Sequence, residues 1–147
     1  MSNYKKILVA VDLSEESTYV LDKARELQDI YQAELSLIHV LEPVAVGMAV
    51  EVSSVDIEGL HAEASKNARE ALLRIGAELG VPVDHLHNVP GTPAREIRAM
   101  AKQLGSNLVV MGGHGKHGFE LLLGSTSSGV SHGICCDLLI VRIPDQQ

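Results

Sequence analysis

Short runs of unbroken aliphatic residues alternate with longer stretches of helical period along this chain. That alternation limits the possible folds more than any other feature. Ile7 to Val11 reads I-L-V-A-V and Leu108 to Met111 reads L-V-V-M. A strand with one wet face would alternate apolar and polar residues. Uniformly apolar runs therefore predict strands covered on both faces of a parallel sheet. Glu34 to Val40 and Asp137 to Ile143 read as two further strands. Val83 to Val89 is a fifth, polar enough to be placed at an edge. Between the strands, apolar residues recur at helical spacing. Val20, Leu21, Ala24, Leu27 and Tyr31 predict a helix over about Glu15 to Gln32, with Ser14 as its N-cap. Leu60, Ala64, Ala68, Leu72, Ile75 and Leu79 repeat on one face of a long helix predicted over Asp56 to Gly80. Thr92 and Pro93 open a third helix, with Ile97, Met100, Ala101 and Leu104 buried and Gly105 at its end. A last helix is expected over about Ser125 to Ile134. Its serines and glycines make it weak by propensity, so packing or a ligand must hold it. Leu41 to Val55 fits neither period and reads as a long connector.

Strands alternating with helices define an α/β fold with helices on both faces of the sheet. With right-handed crossovers this is a Rossmann-like, five-stranded parallel sheet, strand order 3-2-1-4-5, in a single domain over residues 1–147. In that order the switch point falls between strands one and four. Ligands of open α/β sheets bind outside the strands' carboxyl ends at such a point. Asp12 ends the first strand there, either as a turn residue or as a hydrogen-bonding group for a ligand.

The fourth strand leads into the same place. Gly112 and Gly113 follow it, with more glycines at 115, 118 and 124, and then the hydroxyl run Ser125 to Ser128. Backbone N–H groups freed by glycine turns and the positive end of a helix suit an anion, phosphate above all. The loop lacks the G-x-x-x-x-G-K-[ST] sequence of a Walker A motif. It also follows the fourth strand rather than the first, where a dinucleotide fingerprint belongs.

The net charge of −7 argues against a nucleic-acid partner, which needs a basic face. No apolar stretch reaches the ~18 residues of a membrane span, and no leader precedes the first strand, so a cytoplasmic protein is expected. The two cysteines, Cys135 and Cys136, are adjacent, which strains a mutual disulfide. They are expected as small buried or half-buried hydrophobes in a reducing compartment. His39, between Ile38 and Val40, is expected to be structural. His85 and His87 would share a face at strand spacing, but no third ligand completes a metal site at a recognised spacing.

Several segments in order resemble the universal stress protein family. K-K-I-L-V-A-V-D-L-S is similar to its first strand and aspartate, and L-S-L-I-H-V to its second strand. G-T-P-A-R-E-I, L-V-V-M-G-G-H-G, G-S-T-S-S-G-V and L-L-I-V are similar to its later segments. The resemblance implies a homodimer joined through the last strand, Leu138 to Ile143. It also implies kinship with the branch that binds ATP through G-x2-G-x9-G-[ST]. Here Gly112-x2-Gly115 is followed by Gly124-Ser125 after eight residues rather than nine. The shorter loop leaves AMP or ADP as alternatives to ATP.

Carried onto this sequence, the resemblance implies that Ala10, Val11 and Asp12 line the adenosine end and that the main chain of Val40 reads the adenine edge. Met111 and Gly112 flank the ribose. His114, Gly115, Gly124, Ser125, Thr126 and Ser127 hold the phosphates, with Mg2+ accompanying a triphosphate. Three functions follow in order of preference. The first is a nucleotide-binding stress or signalling module. The second is a slow ATPase or nucleotidyl-transfer enzyme, for which His114 and His117 are the nearest candidate groups. The third is a dimeric interaction protein with a vestigial site. No catalytic residue and no protein-bound metal is assigned.

Overall fold

The computed structural model describes residues 3–43, 57–114 and 125–144. The strands are β1 (Lys6–Ala10), β2 (Glu34–Leu41), β3 (Leu86–Pro90), β4 (Leu108–His114) and β5 (Asp137–Ile143). They form one sheet in the order β3-β2-β1-β4-β5, with every neighbouring pair parallel. The helices are α1 (Ser17–Tyr31), α2 (Ile57–Leu79), α3 (Pro93–Leu104) and α4 (Ser125–Ser131), and a 3-10 turn covers Val83–His85. The expected topology is therefore present, with β3 at one edge and β5 at the other.

Period-two alternation divides the aliphatic strands between two cores. Ile7, Val9, Leu35, Leu37, Leu108 and Val110 face α1 and α2, meeting Val20, Ala24 and Leu72. Leu8, Ile38, Val109 and Met111 face α3 and α4, meeting Ile97, Ala101 and Val130. The register keeps each face continuous, since Ile7 lies beside both Leu35 and Leu108. Leu8, Leu37, Val109 and Val110 are fully buried. Each such side chain contributes about 1.5–3 kcal/mol through removal from water.

Several boundaries differ from those read off the sequence. Helix α1 starts at Ser17, and Ser14 does not cap it. Ser14, Glu15 and Glu16 instead form a turn whose carbonyls accept the N–H groups of Ser17, Thr18 and Tyr19 at 3.0, 3.3 and 3.2 Å. On α2, Ala68 and Leu72 are buried but Leu60 and Ala64 are exposed. The cause is length. A helix of 23 residues spans about 34 Å, while strands of 5–8 residues span about 17–27 Å. The first turns of α2 overshoot the sheet. Strand β3 begins only at Leu86, because Val83 to His85 turn in 3-10 form. His85 thus lies outside the strand. Its Nδ1 sits 3.2 Å from the Leu35 carbonyl, and its Nε2 lies 3.4 Å from Glu34 Oε1. Thr92 occupies the N-cap of α3 without a side-chain bond, Pro93 opens the helix, and Gly105 ends it at φ 66°. The Leu41 to Val55 connector lies outside the described residues from position 44 onward.

Helix α4 stops at Ser131, short of the expected Ile134, and α3 holds it in place. A Cβ at Gly129 would lie 2.7 Å from the Ala94 Cβ, so glycine there allows the two helices to touch. Arg98 of α3 donates to the carbonyls of Gly129 and His132, covering the open end of the short helix. His39 is structural as expected. Its Nδ1 pairs with Asn88 Oδ1 at 2.9 Å, and Asn88 in turn donates to Ser65 on α2.

Candidate functional site

The switch point is built where β1 and β4 lie side by side. After β1 the chain leaves toward α1 on one face, and after β4 it returns through α4 on the other. Val11 is buried, and its N–H extends the ladder to the Ile38 carbonyl at 2.9 Å. Leu13 then adopts φ 65°, a left-handed conformation that costs a leucine roughly 1–2 kcal/mol. This bend folds the chain back over Asp12. Its Oδ1 accepts three hydrogen bonds, from the Ser14 N–H at 3.0 Å, the Ser14 hydroxyl at 2.7 Å and the Ser17 hydroxyl at 2.7 Å. Partial burial pushes the Asp12 carboxyl up, but the donors on Ser14 and Ser17 outweigh it and hold the group below its usual value. All three bonds fall on Oδ1, so Oδ2 serves none of them.

Ala10, Val40 and Met111 sit on three adjacent strands and on one face of the sheet; Met111 follows Val110, the partner of Val9, while Val40 lies two residues beyond Ile38, the β2 partner of Ala10. Ala10 and Val40 are half-buried and Met111 is buried, with Val89 and Ala94 beside them. Together they make a small apolar floor next to α4, whose Thr126 is half-buried and Ser127 buried. His114 and Ser125 are placed by their backbones, at the end of β4 and the start of α4. Gly115, Gly124 and His117 lie outside the described residues.

Gly112 behaves differently from the sequence reading. It is not in a loop, since β4 runs on through it to His114, paired with β5 from Val141 to Ile143. A Cβ on Gly112 would lie 2.6 Å from Ile143 Cδ1 and 3.0 Å from Val20 Cγ2. Glycine at this position lets α1 and β5 close over the strand end. Sequence reasoning missed Ser17 and the bend at Leu13. The Asp-x-Ser spacing signals an Asx turn, but nothing local marks the serine five residues along.

His87 completes the histidines of interest. Burial, and secondarily the charge of His85, push its imidazole down. Among the described residues no three His, Cys, Asp or Glu side chains come together as a metal site. No helix among them is long and apolar enough to cross a membrane.

A doubly wound parallel sheet with a polar turn and a helix start flanking its switch point defines a Rossmann-like α/β protein. The model of the universal stress protein family matches residues 3–142. Universal stress protein A homolog 2 of Coxiella burnetii is 42% identical over 146 residues, covering 97% of this chain and 98% of that one. Among solved structures, the hypothetical protein MJ0577 superposes with a TM-score of 0.76 at 27% identity, covering 99% of this chain and all of that one. A universal stress protein in complex with cAMP superposes at 0.60 with 21% identity, over 97% of this chain and 99% of its own. The chain belongs to the universal stress protein family.

Proposed function

We propose that this universal stress protein binds an adenine nucleotide, ATP or AMP, at the strand 1/strand 4 switch point and acts in stress response or signalling. The observation that carries this reading is the convergence at one sheet edge of the Asp12 turn, the apolar floor of Ala10, Val40 and Met111, and the start of α4. An aromatic base fits an apolar floor, a sugar hydroxyl can donate to Asp12 Oδ2, and phosphates fit the N–H groups and hydroxyls of residues 124–127. Val11 shapes the turn from beneath, and Gly112 keeps the strand end narrow. His114 and Gly115 lead into the phosphate side, where Gly124, Ser125, Thr126 and Ser127 receive it. Mg2+ would enter with a triphosphate rather than on protein ligands. That a protein of this fold and family is solved with cAMP supports an adenine-sized crevice.

Titration of nucleotide-stripped protein with ATP, ADP and AMP, each with and without Mg2+, tests the reading. Micromolar binding to at least one is expected. At a ligand concentration 100 times Kd the native state gains about 2.7 kcal/mol, which for this size is a rise of roughly 5–10 °C in Tm. Absence of both heat and thermal shift with every nucleotide would refute the site.

The proposal includes a cytoplasmic homodimer. Strand β5 is a sheet edge, and only Arg142 is charged between Leu138 and Ile143. Unpaired edges of that composition invite pairing, and pairing β5 with its twin across a two-fold axis perpendicular to the strand would satisfy it. The Val141→Lys variant should sediment as a monomer, and an unchanged dimer would reject the assignment.

A further inference from the structure

The edge of the sheet opposite the nucleotide crevice carries a cavity of about 720 Å3, lined by Tyr4, Lys5, Lys6, Asn107 and the run Cys135 to Asp137. These residues precede or begin β1, β4 and β5, so the cavity lies at the strands' amino ends. Both cysteines of the chain are free thiols there, Cys135 exposed and Cys136 half-buried. Cys135 and Cys136 are consecutive in the chain and both line the cavity. The walls are pinned. Tyr4 donates its hydroxyl to Asp137 Oδ2 at 2.7 Å, and its ring meets Tyr31 edge-on at 5.1 Å. Asn107 Oδ1 accepts the N–H groups of Lys5 and Lys6 at 3.0 and 2.9 Å, and its carbonyl accepts the Asp137 N–H at 3.3 Å.

We propose that the Cys135–Cys136 pair in this cavity is a dithiol site for neutral trivalent arsenicals, which it binds as a chelate of two As–S bonds. An organic arsenoxide, R–As=O, reacts with two thiols to give R–As(SR′)2 and one water. The As–O bonds are replaced by two As–S bonds, both thiol protons leave in the water, and arsenic stays trivalent. Arsenous acid would lose two waters and keep one As–OH.

Two alternative chemistries fit the pair less well. An intramolecular disulfide must join residues whose Cα atoms are about 3.8 Å apart across a trans peptide, short of the ~4.4–6.8 Å such bonds span. A bridging arsenic widens the bite and relieves that strain. A thiophilic metal cation needs two thiolates and must release their protons. Burial first, and then the neighbouring Cys135, push the Cys136 thiol up to about 11, so its proton is costly to remove at neutral pH. Condensation with an arsenoxide forms water instead and needs no net deprotonation. Lys5 and Lys6 line the cavity against one carboxylate, Asp137, which leaves the charged lining net positive and disfavours a cation.

Adjacent thiols exist in the unfolded chain too, so the fold's contribution must be measured separately. Phenylarsine oxide added to the reduced full-length protein should bind one per chain, protect both thiols from alkylation, and be displaced by a dithiol but not by an equal excess of monothiol. Pre-organisation by the fold should make binding at least about tenfold tighter than to the same chain unfolded in urea. Loss of the chelate in Cys135→Ser and in Cys136→Ala should weaken it by at least about tenfold. Protection of only one thiol, wild-type affinity in either variant, or equal affinity in urea would overturn the site. Because the cavity and the crevice occupy opposite edges, both variants should titrate nucleotides as the wild type does.

Discussion

The Gly112→Val substitution is expected to lower the unfolding free energy by about 3 kcal/mol and Gly112→Ala by about 1–2 kcal/mol, read from urea denaturation midpoints. The first added carbon already meets Ile143 Cδ1 at 2.6 Å and Val20 Cγ2 at 3.0 Å. Both neighbours are almost wholly buried, Ile143 at 4% and Val20 at 3% exposure, so neither can swing into solvent. Packed interiors accommodate such carbons only by moving side chains off their rotamers or by shifting α1 away from the sheet. Ile143→Val removes the nearer obstacle and should alone cost about 0.5–1.5 kcal/mol. In the double variant Gly112→Ala/Ile143→Val the two losses should fall short of their sum by about 1 kcal/mol. Strict additivity would show that Gly112 is not a packing glycine. The same double variant should keep its nucleotide affinity. If instead affinity falls while stability is rescued, the strand end needs glycine for the ligand rather than for α1 and β5.

Gly112 also illustrates what a sequence can and cannot disclose. Glycines after an apolar run read as the start of a loop, because glycine has little strand propensity. Here the partner strand decides, and β5 carries the ladder on to His114. The order of strands and the burial of β1 and β4 on both faces were legible, because unbroken aliphatic runs admit few other homes. The alternation of those runs with helical stretches also placed helices on both faces of the sheet. The apolar stripe on α2 named a face but said nothing of whether the sheet was long enough to cover it, and Leu60 is exposed while Leu72 is buried. The weak α4 was legible as a problem, while its solution, Arg98 reaching over from α3, lies 31 residues away from the Gly129 carbonyl it caps.

The candidate site divides along the same line. Asp12 was legible as the end of β1 at a switch point. Its two possible roles were both open, and the structure assigns Oδ1 to the turn through Ser14 and Ser17. That geometry depends on a positive φ at Leu13, a choice dictated by the fit of the loop against the first core. Leucine has no local preference for it, so no residue pattern announces it.

Replacement of Asp12 should separate these two roles. Asp12→Ala removes the acceptor of three donors and should cost about 1–2 kcal/mol at neutral pH, a figure kept modest because the residue is partly in water. The pH dependence has a fixed sign. The folded-state carboxyl lies below its unfolded value of 3.8, so its stabilisation is fully present above that value and is lost as pH falls through the lower, folded one. The wild type should therefore lose its advantage over Asp12→Ala in strongly acid solution. Asp12→Asn keeps an uncharged oxygen for Ser14 and Ser17 and should retain most of the stability. It replaces the other carboxylate oxygen with an amide that donates where a sugar hydroxyl must also donate. Its nucleotide affinity should then fall about tenfold, the worth of one hydrogen bond to a charged acceptor. A stable Asp12→Asn protein that binds nucleotide as tightly as the wild type would confine Asp12 to the turn. A stable one that has lost binding would make the free oxygen the group that holds the ligand.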